Sequence, residues 1–303
     1  MTLSLSWVSR FKGRHGIKSY RLHGEAASVE LETLHHRRQE LRILLDGYVA
    51  CDVFNTDLTG NFHCMMPSRA LATTPLSGKK KDKSRISIGL CSNMDGTEKL
   101  DLIVINKSLN PRCFKAIDVS KLPVHFHANA KAWMTGGIFA TWLKAFNLKM
   151  SGRKALLLLD NATSQVNLEL SNVHINFLSP KTTSQLQPMD AGIIRTFMLK
   201  YKAQFVQWLL EMVAAGTEDK KLDVNSAIRM VVKSWAEVRP EAIRHCWIHT
   251  GILSVVMAAV LHRQDEPVRP NNLLILANLI DKLSLSDGMD ADDYVECDNN
   301  LKE

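Results

Sequence analysis

The sequence lacks the apolar segments that would carry a chain across a membrane. Its longest predominantly apolar segment, residues 252–261, has ten residues, whereas a bilayer-spanning helix needs about 20. No basic-then-apolar leader opens the chain, so we expect no secretory route. Internal repeats of solenoid or propeller length are also absent. These absences favour an ordinary globular protein.

Paired cysteines are missing as well. The six cysteines are scattered, with no CxxC pair among them. This spacing argues against a disulfide scaffold and against a cysteine-rich zinc module. It fits a protein that resides in a reducing compartment.

The charge of the chain is unevenly distributed. Residues 281–303 hold eight acidic and two basic side chains, a net of −6, so the rest carries +13 against an overall +7. A basic body with an acidic, solvated tail suits a protein that binds a polyanion such as nucleic acid. Charge alone leaves the alternative open, because many soluble proteins are basic. The length, 303 residues, suffices for one large or two ordinary domains.

Hydrophobic periodicity predicts a mixed α/β protein. Helices are predicted for 29–45, 139–146, 191–215 and 224–238, and strands for 48–55, 85–91, 102–105, 155–159 and 173–178. The five-residue apolar run at 155–159 is typical of a central strand covered on both faces. Five tryptophans are predicted to lie in the core: Trp133, Trp142, Trp208, Trp235 and Trp247. The order of elements favours an RNase H-like mixed sheet flanked by helices, with helical additions at both termini.

Three aspartates fall at informative places in this outline. Asp57 is predicted to follow the first strand, Asp160 to end the central strand, and Asp190 to begin the long helix. If the first and fourth predicted strands are neighbours, their ends bring Asp57 and Asp160 together. Clustered carboxylates need cations between them, and their hard oxygens select Mg²⁺ or Mn²⁺. Each aspartate taken singly is more readily explained as a helix cap or turn residue.

Basic side chains are the candidates for contact with DNA phosphates. They lie in an N-terminal amphipathic segment, in a lysine-rich loop and on the long helix: Arg10, Lys12, Arg14, Lys79, Lys80, Lys81, Lys83, Arg85, Arg195 and Lys200. The loop is also compatible with a nuclear-import signal or a merely solvated surface.

Five sequence motifs point to a known family. They include FNTDLTGNF around Asp57, KALLLLDNATSQ around Asp160 and FLSPKTTSQLQPMDAGIIRTFMLKY around Asp190. In this order they resemble the DDE superfamily endonuclease domain of pogo/Tigger-like transposases, whose domesticated relatives include centromere protein B and jerky. The resemblance covers residues 27–250. Residues 1–26 resemble the end of a CENP-B-type helix-turn-helix module, and 251–303 form a helical segment with an acidic tail.

The resemblance implies a function. It implies that Asp57, Asp160 and Asp190 are catalytic and hold two Mg²⁺ or Mn²⁺ ions for cleavage and joining of DNA strands. It also implies a nuclear protein that acts as a homodimer on paired DNA ends. The shortened N-terminal module makes recognition of specific DNA ends less expected.

The motifs also depart from the family. Leu58 stands where the family usually has glutamate, and Thr163 where it has proline. Neither change removes a candidate metal ligand. The alternatives are a catalytically inactive, domesticated nuclear DNA-binding protein and a transposon relic without a selected function.

Overall fold

A computed structural model describes most of the chain. It covers residue 14 and residues 31–66, 82–115, 117–160, 168–179, 182–217, 220–263, 272–282 and 291–297. The predicted N-terminal amphipathic segment, apart from Arg14, lies outside these residues.

A six-stranded sheet forms the centre of the fold. Its strands are β1 (Val53–Phe62), β2 (Arg85–Asn93), β3 (Ile103–Asn106), β4 (His125–Ala128), β5 (Ala155–Leu159) and β6 (Val173–Phe177). They lie in the order β4-β3-β2-β1-β5-β6. Only β2 runs against the others. This mixed sheet confirms the predicted RNase H-like class, and β4 is the strand that hydrophobic periodicity did not predict.

Helices surround the sheet and continue beyond it. They are α1 (Leu31–Leu45), α2 (Gly136–Lys149), the short α3 (Thr183–Leu186), α4 (Ile194–Ala214), α5 (Val224–Ala236), α6 (Pro240–His249), α7 (Val255–His262), α8 (Asn272–Lys282) and α9 (Ala291–Glu296). A π-helical turn, Met189–Ile193, leads directly into α4. Within the described residues, none of the helices is long and apolar enough to cross a membrane.

Two hydrophobic cores lie on opposite faces of the sheet. Alternate residues of β5 contribute to each: Leu156 and Leu158 pack with the α4–α6 side, whereas Leu157 and Leu159 pack with α2. All five residues of β5 are buried. The prediction of a central strand covered on both faces is therefore confirmed, and the burial of β5 fixes the position of Asp160, the next residue along the chain.

Long-range polar contacts attach α1 to the same body. Arg38 donates to the carbonyl of Thr250 at 2.9 Å, and Arg42 donates to that of Gly251 at 2.8 Å. These guanidinium groups satisfy carbonyls at the end of α6 that have no partner within the helix. The helix predicted for 29–45 is present over Leu31–Leu45, the part that the structure describes, and it packs as part of the fold.

Candidate active site

The candidate site lies where β1 and β5 run side by side. The two strands are parallel, with Asn55 opposite Leu158. Asp57 comes two residues after Asn55, and Asp160 comes two residues after Leu158. The pairing therefore brings both aspartates to the same level of the sheet, as expected if the first and fourth predicted strands were neighbours.

The prediction that Asp57 follows the first strand is wrong, because Asp57 lies in the middle of β1. β1 continues to Phe62 because residues 54–62 pair in register with 85–93 of β2. The polar run from Asp57 to Gly60 reads locally as a turn, but cross-strand pairing overrides that preference. The outcome is a β1–β2 ribbon that extends past the level of the aspartates.

Asp190 reaches this site through the π-helical turn. Met189, its neighbour, is fully buried, and its backbone N–H donates to the side-chain oxygen of Asn55 on β1 at 2.8 Å. Gly192 has φ 147°, a backbone conformation that residues other than glycine rarely adopt. A Cβ at Gly192 would lie 3.2 Å from Sγ of Cys246. The turn therefore requires glycine, and it presents Asp190 at the start of α4, as predicted.

The carboxylates interact electrostatically. The pKa of Asp57 is raised well above its ordinary value, first because burial penalises its charged form and then because the charge of Asp190 is close. A side-chain hydrogen bond with Asp190 and the charge of Asp160 raise the pKa further, and the N–H of Leu58, at 2.7 Å, opposes the rise. Asp190 and Asp160 thus lie close enough to Asp57 for their charges to raise its pKa.

The donor chemistry of this cluster fits a hard divalent cation. Within the described residues, no group of three or more His, Cys, Asp or Glu side chains forms a metal site as it stands. The carboxylate oxygens are nevertheless the ligands that Mg²⁺ and Mn²⁺ prefer. The raised pKa of Asp57 marks a place where positive charge is needed.

The predicted DNA-contacting residues fall into four groups. Arg10, Lys12, Lys79, Lys80 and Lys81 lie outside the described residues, whereas Arg14 and Lys83 are exposed. The two on α4 are engaged by carboxylates: Arg195 forms an ion pair with Asp292 of α9, and Lys200 approaches Glu237 at 3.9 Å. These two are therefore not free cations on an open surface.

Arg85 forms the fourth group, because it contacts an aromatic ring. Its guanidinium lies 5.0 Å from the centre of the Trp133 ring and donates to the carbonyl of Lys131 at 2.9 Å. The prediction that Trp133 belongs to the core is wrong, since 39% of it is exposed. Trp142, Trp235 and Trp247 are buried as predicted, and Trp208 is partly buried.

The local backbone holds Trp133 at the surface. The side-chain oxygen of Asn129 accepts from the N–H groups of Lys131 and Trp133, and Ala132 adopts φ 49°. Ser87 of β2 donates to the carbonyl of Ala132 at 2.6 Å. The sequence signal was weak, because a lone tryptophan before a helix is most often a core residue.

Comparison with known proteins agrees with this geometry. The profile of the DDE superfamily endonuclease family matches residues 83–247. The chain belongs to this family. It is 30% identical over 265 residues to CENP-B homolog protein 2 of Schizosaccharomyces pombe, which covers 82% of this chain and 51% of that protein. It is also 30% identical over 258 residues to Tigger transposable element-derived protein 4 of Mus musculus, covering 83% of this chain and 50% of that protein.

The chain spans about half the length of these curated relatives. Another relative, the Jerky protein homolog of Homo sapiens, is 30% identical over 288 residues, which cover 88% of this chain and 50% of that protein. Among solved structures, the Mos1 strand transfer complex matches with 12% identity and a TM-score of 0.47, covering 87% of this chain and 72% of that chain. The predicted kinship with the pogo/Tigger-like DDE domain and with CENP-B and jerky relatives is thereby confirmed.

Proposed function

We propose that this DDE-family chain is the core of a metal-dependent DNA endonuclease that cleaves and joins DNA strands. The observation that carries the proposal is that Asp190 and Asp160 lie close enough to Asp57 for their charges to raise its pKa. Three neighbouring carboxylates repel one another, so bound cations would stabilise the cluster.

Asp57, Asp160 and Asp190 would hold two Mg²⁺ or Mn²⁺ ions. Such a pair, when bound, activates an attacking oxygen and stabilises the leaving oxygen in phosphoryl transfer. The chain's own part begins with Asp57, which must give up any proton that its raised pKa retains. Met189 is buried, and its N–H donates to Asn55. This hydrogen bond holds the turn that carries Asp190 against β1.

The polyanion that this site acts on would be DNA, and the cellular location would be the nucleus. Support comes from the basic body of the chain, which carries +13 outside its acidic tail. Arg85 and Lys83 at the start of β2 lie at the end of the ribbon that extends beyond Asp57. Action as a homodimer on paired DNA ends belongs to the same proposal.

A second candidate is a non-catalytic nuclear DNA-binding protein. Leu58 favours it, since it replaces the glutamate that is usual in the family motif. The ion pairs of Arg195 and Lys200 do not separate the two candidates, because both would contact the DNA backbone.

Nicking of supercoiled plasmid by the purified chain separates the two candidates. The reactions contain Mg²⁺, Mn²⁺ or EDTA and compare the natural chain with Asp160→Asn. Asp101→Asn is the matched control, because Asp101 is exposed and precedes β3, which β2 separates from β1. We expect nicking that requires metal, survives Asp101→Asn and disappears with Asp160→Asn.

Two other outcomes would contradict the proposal. Nicking that Asp160→Asn leaves unchanged would place the activity elsewhere. Binding of plasmid without any nicking, with either metal, would favour the non-catalytic protein.

A further inference from the structure

Asn55 makes two hydrogen bonds that converge on the candidate site. The residue is fully buried on β1. Its side-chain nitrogen donates to the carbonyl of Leu158 on β5 at 3.1 Å, and its side-chain oxygen accepts from the N–H of Met189 at 2.8 Å. These partners are 103 and 134 positions away along the chain. One amide group therefore joins three separate segments.

Each of these three segments carries one of the acids. Asp57 lies two residues beyond Asn55, Asp160 two residues beyond Leu158, and Asp190 one residue beyond Met189. Residues i and i+2 of a strand share a face, so Asn55 and Asp57 lie on the same side of the sheet. A shift of any of the three segments would move one carboxylate relative to the other two.

The chemistry of the contacts requires an amide. The Leu158 carbonyl needs a donor and the Met189 N–H needs an acceptor, and asparagine supplies both from one short planar group. An ionised aspartate could only accept, and leucine could do neither. A buried N–H without a partner is unfavourable, so loss of the amide would release the π-helical turn from β1.

We propose that Asn55 is the positioning residue of the carboxylate site, which sets the spacing of Asp57, Asp160 and Asp190 for divalent cations. This inference rests on the proposed metal-dependent function. It adds that the affinity for the cation depends on a side chain that does not ligate it. Groups that orient metal ligands in this way typically contribute about 10–100-fold to metal affinity.

The chain contains a matched control on the same strand. Asn61 is also fully buried on β1, and neither its side-chain nitrogen nor its side-chain oxygen has a hydrogen-bond partner among the described residues. It lies beyond the level of the acids, opposite Ile86 of β2. The same substitution at the two positions therefore changes volume and polarity alike but removes contacts to β5 and Met189 only at Asn55.

The test is direct Mn²⁺ binding, measured from the electron paramagnetic resonance signal of free Mn²⁺. The natural chain, Asn55→Leu and Asn61→Leu are compared, with folding verified by circular dichroism and thermal unfolding. We expect Asn55→Leu to weaken Mn²⁺ binding about 10–100-fold and Asn61→Leu to leave it unchanged. If Asn55→Leu does not fold, Asn55→Ser replaces it, because its smaller hydroxyl cannot span both partners; the same weakening is expected.

The outcomes distinguish this inference from the proposed function. Natural affinity in a folded Asn55 variant would overturn the positioning role and leave the proposed function standing. Equal weakening by Asn55→Leu and Asn61→Leu would reduce Asn55 to a packing role and would also overturn the inference. Failure of the natural chain to bind Mn²⁺ would overturn both.

Discussion

Asp57 and Asp190 share a side-chain hydrogen bond, although one lies in a strand and the other in a turn before a distant helix. Two carboxyl groups can share a hydrogen bond only when one of them carries the proton. The burial of Asp57 and the nearby charge of Asp160 strengthen this tendency. Ionisation of both carboxyl groups is therefore unfavourable at this site unless a cation lies between them.

The first prediction rests on the raised pKa of Asp57. In the folded chain Asp57 holds a proton that the unfolded chain releases above its ordinary pKa of about 4. Stability therefore falls as the pH rises from that value through the raised pKa. We expect Asp57→Asn to raise the free energy of unfolding at neutral pH by about 1 kcal/mol, the usual gain from one stabilising substitution.

Urea denaturation without divalent cations, at pH 4 and pH 7.5, measures this effect. The gain should shrink at the lower pH, where Asp57 is protonated in the folded chain and about half protonated in the unfolded chain. Asp101→Asn, at an exposed position, serves as the control and should change little. A loss of stability with Asp57→Asn at pH 7.5 would contradict the pKa argument.

The second prediction concerns the turn that presents Asp190. Gly192 has φ 147°, and a Cβ there would lie 3.2 Å from Sγ of Cys246, which would have to shift. We expect Gly192→Ala to lower the free energy of unfolding by more than about 1 kcal/mol, because alanine is strained at positive φ. It should also weaken Mn²⁺ binding, since Asp190 would move with the turn.

Gly137→Ala is the control for this substitution. Gly137 lies at the start of α2, and an added Cβ would meet nothing within 4 Å. Thermal unfolding should show it unchanged or slightly more stable than the natural chain. Equal effects of the two substitutions would argue against a special role for the turn.

The third prediction concerns the acidic helix α9. Asp292 pairs with Arg195, while Tyr294 donates to the carbonyl of Met65 at 2.9 Å and lies under the Lys202 ammonium at 4.7 Å. These contacts keep the Asp292 carboxylate paired with Arg195, which is predicted to bind phosphate. We expect Asp292→Asn to tighten DNA binding about threefold at low salt and to steepen the dependence on salt by about one ion.

Fluorescence anisotropy with labelled duplex DNA at several salt concentrations tests this expectation. Asp46→Asn is the control, because it removes one exposed negative charge just after α1, a helix that does not carry Arg195. If the two variants bind DNA equally well, the change reflects net charge alone and not release of Arg195.

The sequence predicted the elements whose signals are local. The apolar run predicted both ends of β5 correctly, because burial on both faces of the sheet excludes polar side chains from this strand. The extent of β1 was mispredicted, because its pairing with β2 is set by residues that are distant in sequence. The role of Asn55 was invisible for the same reason, since both of its partners come from other segments.

The exposure of Trp133 also depends on tertiary contacts, and it provides the last prediction. Arg85 begins β2 beside the end of β1. The Arg85–Trp133 pair therefore lies at the end of the β1–β2 ribbon that extends five residues beyond Asp57. An exposed aromatic ring next to a guanidinium suits contact with an unpaired base and its phosphate. We expect Trp133→Ala to weaken binding of single-stranded DNA about 5–100-fold, the range for loss of one stacked base.

The dependence on salt separates stacking from charge. Trp133→Ala should leave the salt slope unchanged, whereas Arg85→Ala should reduce it by about one, because only the arginine neutralises a phosphate. Trp133→Phe should retain most of the affinity. Leu148→Ala, which truncates a side chain that is 75% exposed on α2, is the control and should bind like the natural chain. Natural affinity in Trp133→Ala would show that the ring does not contact DNA, and the Arg85–Trp133 pair would then only fix the loop that precedes α2.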